Sequence, residues 1–352
     1  MKLSFRPATF LLAAAAAVAA VVLMPEATPQ QISSHSVAAQ TRQQTPPPRT
    51  DATPQQDENV EGVTIRLVRV PITVVDKKGA PITGLGKNDF QIFEDKRPQV
   101  FDLISVTEEL ERLPIYVGVL MDTSSSTAGK LKFEQEAALN FIHTVARPRK
   151  DKIAFVTFDD EVTLRQDFTD RLELLDRAIG SIKSPGNHTS LYDAVWQFCN
   201  EKLRSVGGGR PTIVLITDGD DTYSRARLED AIDIAQRTDT VVFAISTKGG
   251  FVGSAVPGVE ANTVKDAGDR ALVKLAEETG GQAFFTGDIL ALERAFNKIA
   301  RALRSQYIAT YRPSNPTYDG STRRIEVKLT NKIDGAKVTA KRAYRAISDT
   351  VK

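Results

Sequence analysis

The chain has 352 residues, enough for two or three domains of ordinary size, and its 41% hydrophobic and 26% charged residues suit a chain that buries a core. Lys and Arg (46) against Asp and Glu (44) leave a net charge of +2, which excludes the broad basic field of a nucleic-acid binder. A single cysteine, Cys199, excludes an intramolecular disulfide framework, and three widely spaced histidines (His35, His143 and His188) exclude a zinc finger, so any bound metal takes oxygen ligands.

Residues 1–24 place Lys2 and Arg6 ahead of an apolar run from Phe10 to Met24, the layout of a bacterial-type secretory signal. The run is shorter than the roughly 20 apolar residues of a comfortable membrane span. It is expected to be cleaved or kept as an N-terminal anchor, with the protein secreted, periplasmic or held in the cell envelope. Residues 25–60 carry six of the 17 prolines and no aromatic residue, a composition that cannot repay the entropy of ordering. They read as a tether, stiffened by Pro46-Pro47-Pro48, or as a disordered leader.

Period-two alternation begins at Val63 and runs through Val70, continues from Ile72 to Val75, and stops at the turn Asp76-Lys77-Lys78-Gly79. Phe90–Asp95 and Gln99–Val106 predict two more strands, so residues 61–110 form a small β segment. Residues 307–346 have the same character, with strands expected at Tyr307–Tyr311, Arg324–Leu329 and Ala336–Arg345. Each segment alone is marginal in size, and the two are expected to pack together as one β-sandwich-like domain flanking what lies between.

Between them, residues 113–306 alternate short apolar strands with amphipathic helices. Strands are predicted at Pro114–Met121, Ile153–Phe158, Thr212–Thr217, Val241–Ser246 and Ala283–Phe285, and helices at Leu131–Val145, Leu172–Ile182, Leu191–Leu203, Leu228–Arg237, Ala271–Thr279 and Ile289–Arg304. Continuously apolar strands need cover on both faces, so the pattern specifies an α/β fold with a doubly wound, mostly parallel sheet. Such sheets bind ligands at the carboxyl ends of their strands.

Two motifs stand at those ends: Asp122-Thr123-Ser124-Ser125-Ser126 after the first core strand and Thr217-Asp218-Gly219-Asp220-Asp221 after a later one. A third loop, Gly186 to Asp193, presents Thr189 just before a helix. Carboxylates and hydroxyls are hard donors that suit Mg²⁺, Mn²⁺ or Ca²⁺.

These residues resemble the von Willebrand factor type A domain and its metal-ion-dependent adhesion site, a pattern of Asp-x-Ser-x-Ser, a later Thr, and an Asp in a Thr-Asp-Gly-like turn. The resemblance maps metal binding onto Asp122, Ser124, Ser126, Thr189 and Asp218, covers residues 113–306, and extends to secondary marks such as Phe158-Asp159-Asp160. The flanking β segments look like those of bacterial envelope proteins with a type A domain. The resemblance implies a non-enzymatic module that takes Mg²⁺ (or Mn²⁺ or Ca²⁺) and binds a protein partner through that partner's acidic side chain, metal-dependent and sensitive to chelators. No nucleotide is expected, because Gly207-Gly208-Gly209 lacks a following Lys-Ser/Thr and no G-x-G-x-x-G follows the first strand. Membrane contact is expected only through the N-terminal segment.

Two other functions fit parts of the pattern. In phosphoryl-transferring α/β folds the Asp at the first strand end is a nucleophile, but a second carboxylate is usual two residues later, where this chain has Ser124. A docking subunit of an envelope complex, with a weak or vestigial metal site, fits equally well with the fold. Ser125 and Thr127 read as helix caps, Asp220 and Asp221 as a solvated turn, and Cys199 and Trp196 as core residues. His188, although next to Thr189, has no paired nucleophile in the sequence. Lys248 to Gly268 reads as a long loop rising from the strand end that bears the motifs, shaping access or inert.

Overall fold

A computed structural model describes residues 67–104, 113–207, 209–248, 266–286 and 289–347. The signal, the tether, the first residues of the β segment and most of the 248–268 loop lie outside the described residues.

The chain opens with strands β1 (Val68–Val75), β2 (Phe90–Glu94), β3 (Arg97–Pro98) and β4 (Phe101–Ile104). The α/β unit follows: β5 (Ile115–Asp122), α1 (Leu131–Val145), β6 (Lys152–Phe158), β7 (Val162–Thr169), α2 (Leu172–Gly180), α3 (Leu191–Phe198), β8 (Arg210–Thr217), α4 (Leu228–Arg237), β9 (Val241–Ser246), α5 (Ala267–Thr279), β10 (Ala283–Phe285) and α6 (Ile289–Arg304). Four strands close the chain, β11 (Tyr307–Tyr311), β12 (Thr322–Leu329), β13 (Lys337–Ala340) and β14 (Ala343–Arg345). Among the described residues no helix is long and apolar enough to cross a membrane.

The central sheet has the order β10-β9-β8-β5-β6-β7, parallel except for β7, which runs antiparallel to β6 at the edge. Its inner strands are apolar on both faces because both are covered. Phe141 and Ile142 of α1, Leu175 of α2 and Phe296 and Ile299 of α6 fill one side. Leu191, Val195 and Phe198 of α3, Ala231 of α4 and Leu272 of α5 fill the other. Gly118 in β5 lets the Phe198 ring lie against the strand, since a Cβ there would collide with it. The chain leaves β5 toward β6 on one side and later returns to β8 on the other, so the strand order reverses between β5 and β8. That switch point opens a crevice between the carboxyl ends of the two strands.

The flanking strands form two antiparallel sheets, β13-β1-β11-β4 and β14-β12-β2-β3, each mixing strands from before and after the α/β unit. Inward residues such as Val70, Ile72, Ile92, Tyr307 and Ile325 share one core. Pro71, which has no N–H, is tolerated inside β1 because pairing with β13 begins only at Ile72. In this core Glu94 accepts hydrogen bonds from the hydroxyls of Tyr311 and Tyr344, both 2.8 Å, and pairs with Arg323 at 3.3 Å.

Several expectations are corrected. Strand β7 was not anticipated, because Val162–Thr169 is mostly polar and buries a single residue. Residues 336–345 are two strands in different sheets; between them Lys341 is buried against Asp239 at 2.6 Å and the Arg342 amide donates to the Glu278 carbonyl, so the chain steps across the end of α5. Helix α5 starts at Ala267, four residues before the expected Ala271, because the Asp266 side chain caps it by accepting from the Asp269 amide. Helix α3 changes at Cys199 into a π-helical turn to Leu203, and Trp196 is 38% exposed instead of core.

The buried Glu94–Arg323 pair gives a direct test. Removing one partner strands a charge inside the protein, so Glu94→Ala should lower stability by about 3–5 kcal/mol in urea unfolding.

Candidate metal centre

The crevice between β5 and β8 carries Asp122, Ser124 and Ser126 at the end of β5 and Asp218 at the end of β8, with the loop of Thr189 bonded to the residues that follow Asp218. Asp122 ends β5 with no exposed surface, and Asp218 follows β8 directly. The two strands are hydrogen-bonded neighbours in register, Met121 opposite Ile216, so the ends of both deliver a carboxylate to one place. Ser124 and Ser126 lie on the turn after β5, which continues as a 3-10 helix into α1. Thr189 is buried on the loop before α3.

The Asp122 carboxylate is held rigidly. Its Oδ1 accepts from the Ser124 amide at 2.9 Å and its Oδ2 from the Thr217 hydroxyl at 2.6 Å. Burial pushes its pKa up to about 6, against the lowering effect of these hydrogen bonds, and the nearby Asp218 carboxylate raises it further. The Ser124 and Ser126 hydroxyls lie 2.9 Å apart. Adjacent ligands of an octahedral ion with bonds of about 2.1 Å are separated by about 3 Å, so the two hydroxyls have the spacing of neighbouring Mg²⁺ ligands. The donor chemistry therefore fits a hard divalent ion. Among the described residues no group of three or more His, Cys, Asp and Glu side chains has metal-holding geometry.

The third loop is sewn to the second. The Thr189 amide donates to the Thr222 hydroxyl at 2.9 Å, and the Thr222 and Tyr223 amides both donate to the Thr189 carbonyl at 3.0 Å. Asp221 accepts from the Leu191 and Tyr192 amides at 2.9 and 3.3 Å, which makes it the cap of α3 and not a solvated turn residue. Gly219 makes the bend after Asp218 with φ +91°, and a side chain there would press on Leu272. Asp220 remains exposed and pairs with Lys248 at 2.6 Å, which also pairs with Asp266 at 2.6 Å. Ser125 donates to the Asn187 carbonyl at 3.0 Å and Thr127 to the Ser124 carbonyl at 2.9 Å, so neither caps a helix by accepting from an amide.

At the rim, the His188 Nδ1 lies 2.5 Å from the Asp160 carboxylate and its ring stacks on Tyr223 at 4.7 Å. The Asn187 amide, and after it His188, hold the Asp160 carboxyl below the usual range. No nucleophile accompanies this pair. Cys199 is buried, which pushes its thiol up to about 12 and keeps it unreactive. A cavity of about 1290 Å³ lies away from the centre, between helices α4 and α5 and strands β12 and β14, and its lining mixes charges of both signs.

Two participants were missed in the sequence. Thr217 stood in the Thr-Asp-Gly motif without a role, although a threonine preceding a strand-end Asp is placed to reach the neighbouring strand's carboxylate. Glu134, on the first turn of α1, has no exposed surface. Its Oε1 accepts from the Thr247 hydroxyl at 2.7 Å. Burial pushes its pKa up to about 8; the Thr247 hydrogen bond opposes this, while the charges of Asp122 and Asp218 add to it.

The fold and the centre together define an α/β domain of the adhesion-site type. The chain belongs to the von Willebrand factor type A domain family, which matches residues 117–298, just over half of the sequence. Comparison with curated proteins gives no match. Similar solved structures include the conserved hypothetical protein BatB from Bacteroides thetaiotaomicron, at 16% identity over 54% of this chain and 100% of that one, with a TM-score of 0.39. Others are proximal thread matrix protein 1 from the mussel byssus with a zinc-occupied MIDAS motif (16% identity, 60% of this chain, 50% of that one, TM-score 0.46) and the vWF domain of the type V pili tip protein Mfa5 from Porphyromonas gingivalis (14%, 55%, 95%, 0.42).

Because the pKa of Glu134 is higher in the folded than in the unfolded chain, its contribution to stability is complete below its unfolded value of 4.5 and is lost as pH rises toward about 8. Urea unfolding of the metal-free protein should show this as a decline of up to about 1.4 kcal/mol per pH unit within that window, and Glu134→Gln should remove that component.

Proposed function

We propose that this protein is a non-enzymatic, divalent-metal-dependent protein-binding module exported to the bacterial envelope or exterior. The reading is carried by one observation: the paired hydroxyls of Ser124 and Ser126, 2.9 Å apart, beside the buried carboxylate of Asp122 at the switch point. In it Ser124, Ser126 and Thr189 would supply neutral oxygens directly, while Asp122 and Asp218 would act mostly through bound waters. The bound ion, Mg²⁺ or in its place Mn²⁺ or Ca²⁺, supplies the chemistry of a hard Lewis acid with a position open to an anionic ligand. A donor set with three neutral oxygens leaves much of the ion's charge unneutralised, so the matching ligand is a carboxylate on a partner protein. The exposed rim, with Ser126, His188 and Tyr223 at the surface, leaves room for a protein to approach. The N-terminal charge and apolar pattern supports export, and no membrane contact is proposed beyond that segment.

An enzymatic reading has less support. Position 124 is a serine where phosphoryl-transferring folds usually carry a second carboxylate, and the two His–Asp pairs, His188–Asp160 and His143–Asp176, are both at the exposed surface.

Metal binding only to the folded state raises the melting temperature, and a ligand at one hundred times its Kd adds about 2.7 kcal/mol. Thermal melts should therefore shift upward with Mg²⁺, Mn²⁺ or Ca²⁺ and return with chelator in the wild type. Asp122→Ala and the isosteric Asp122→Asn should not respond. A wild type indifferent to all three ions would favour the docking-subunit reading with a vestigial site.

A further inference from the structure

Glu134 is an expensive residue to keep where it is. An acid on the buried face of a helix normally has all its oxygens satisfied, because an unpaired buried polar group costs about 1–3 kcal/mol. The Glu134 Oε2 is buried and has no hydrogen-bond partner. The cation one turn before it, Lys130, donates instead to the Thr247 carbonyl at 2.7 Å. Only the Thr247 hydroxyl serves the carboxyl, and it serves the other oxygen.

The position of that free oxygen follows from the strand ends. Thr247 is the residue after β9, and its amide donates to the Thr217 carbonyl at 2.8 Å. Thr217 in turn donates through its hydroxyl to Asp122 at 2.6 Å. Glu134, Thr247, Thr217 and Asp122 thus form one linked row beneath the crevice, with Asp218 directly after Thr217. The carboxyls of Asp122 and Asp218 are close enough to act on Glu134 electrostatically. The cation that also acts on Glu134, Lys130, gives its hydrogen bond to the Thr247 carbonyl, and the Glu134 Oε2 is left unpaired.

We propose that Glu134 is a further positioning residue of the metal centre, its Oε2 accepting a hydrogen bond from a water on the bound ion. This inference rests on the metal reading above. Water polarised by a divalent ion is a strong donor, and outer groups that take such hydrogen bonds typically contribute 10–100-fold to metal affinity. Glu134 also links the ion to α1 and to the end of β9, outside the three motif loops.

Calorimetric titration of the full chain with Mg²⁺ and Mn²⁺ at pH 7.5 tests the assignment in wild type, Glu134→Gln and Asp122→Asn, with the metal-free melting temperature of each measured alongside. Glu134→Gln keeps the shape and an acceptor for Thr247. It should bind both ions at least tenfold more weakly while melting, without metal, no lower than the wild type. Wild-type affinity in Glu134→Gln, with Asp122→Asn inactive, would overturn the role of Glu134 and leave the metal reading intact. A metal-free melting temperature well below wild type in Glu134→Gln would make the residue a structural one and overturn the inference too. No binding in wild type, or equal binding in Asp122→Asn, would remove both readings.

Discussion

The structure depends on burying a carboxylate at the end of its central strand. Asp122 has no exposed surface, lies between strands β6 and β8, and is held by one amide and one hydroxyl with no cation at hydrogen-bond distance. Such a group is costly in a low-dielectric interior. The surrounding elements answer that cost: β8 contributes Thr217, the turn after β5 contributes the Ser124 amide and two hydroxyls, and the crevice at the switch point remains open to a positive ion. The three loops then hold one another. Asp221 from the second caps the helix that follows the third, and the Gly186 amide of the third donates to the Thr123 carbonyl of the first at 2.8 Å. Neutral hydroxyls and a firmly held carboxylate on rigid strand ends are the preorganisation that the proposed ion site requires.

The β-sandwich is built so that neither half stands alone. Strand β1 lies between β11 and β13, and β12 lies between β2 and β14, so the sequences before and after the α/β unit complete each other's sheets. The Glu94–Arg323 pair crosses the same divide within the core. This arrangement fixes both ends of the α/β unit on one side and places them opposite the carboxyl-end crevice along the strands, because β5 starts where the β segment ends and the motifs stand at its other end.

Much of this was legible in the residues. Strands such as Val241–Ser246 announce themselves because burial on both faces demands a continuous apolar run, and helices such as Leu228–Arg237 because one face must be apolar. The motif loops stood out because the order Asp-x-Ser-x-Ser, Thr and Thr-Asp-Gly resembles the type A adhesion site, and the structure sets Asp122, Ser124 and Ser126 side by side at the end of β5. What escaped depends on contacts no local pattern encodes. Strand β7 is polar and half-covered, so its sequence looks like a loop. Glu134 looks like any solvated helical acid until Thr247, 113 residues away, is folded against it. Asp221 resembles a turn residue until α3 arrives beneath it. Trp196 is apolar in sequence yet 38% exposed, while its neighbours Val195 and Phe198 take the buried face of the helix.

The central claim is that a divalent ion sits between the ends of β5 and β8. Anomalous diffraction from crystals of the protein grown with Mn²⁺ addresses it directly. The account predicts one strong peak about 2.1 Å from the hydroxyl oxygens of both Ser124 and Ser126, with Asp122, Thr189 and Asp218 around it. A peak at another acidic cluster, such as Asp220 with Asp266, or no peak at the crevice under saturating Mn²⁺, would contradict it.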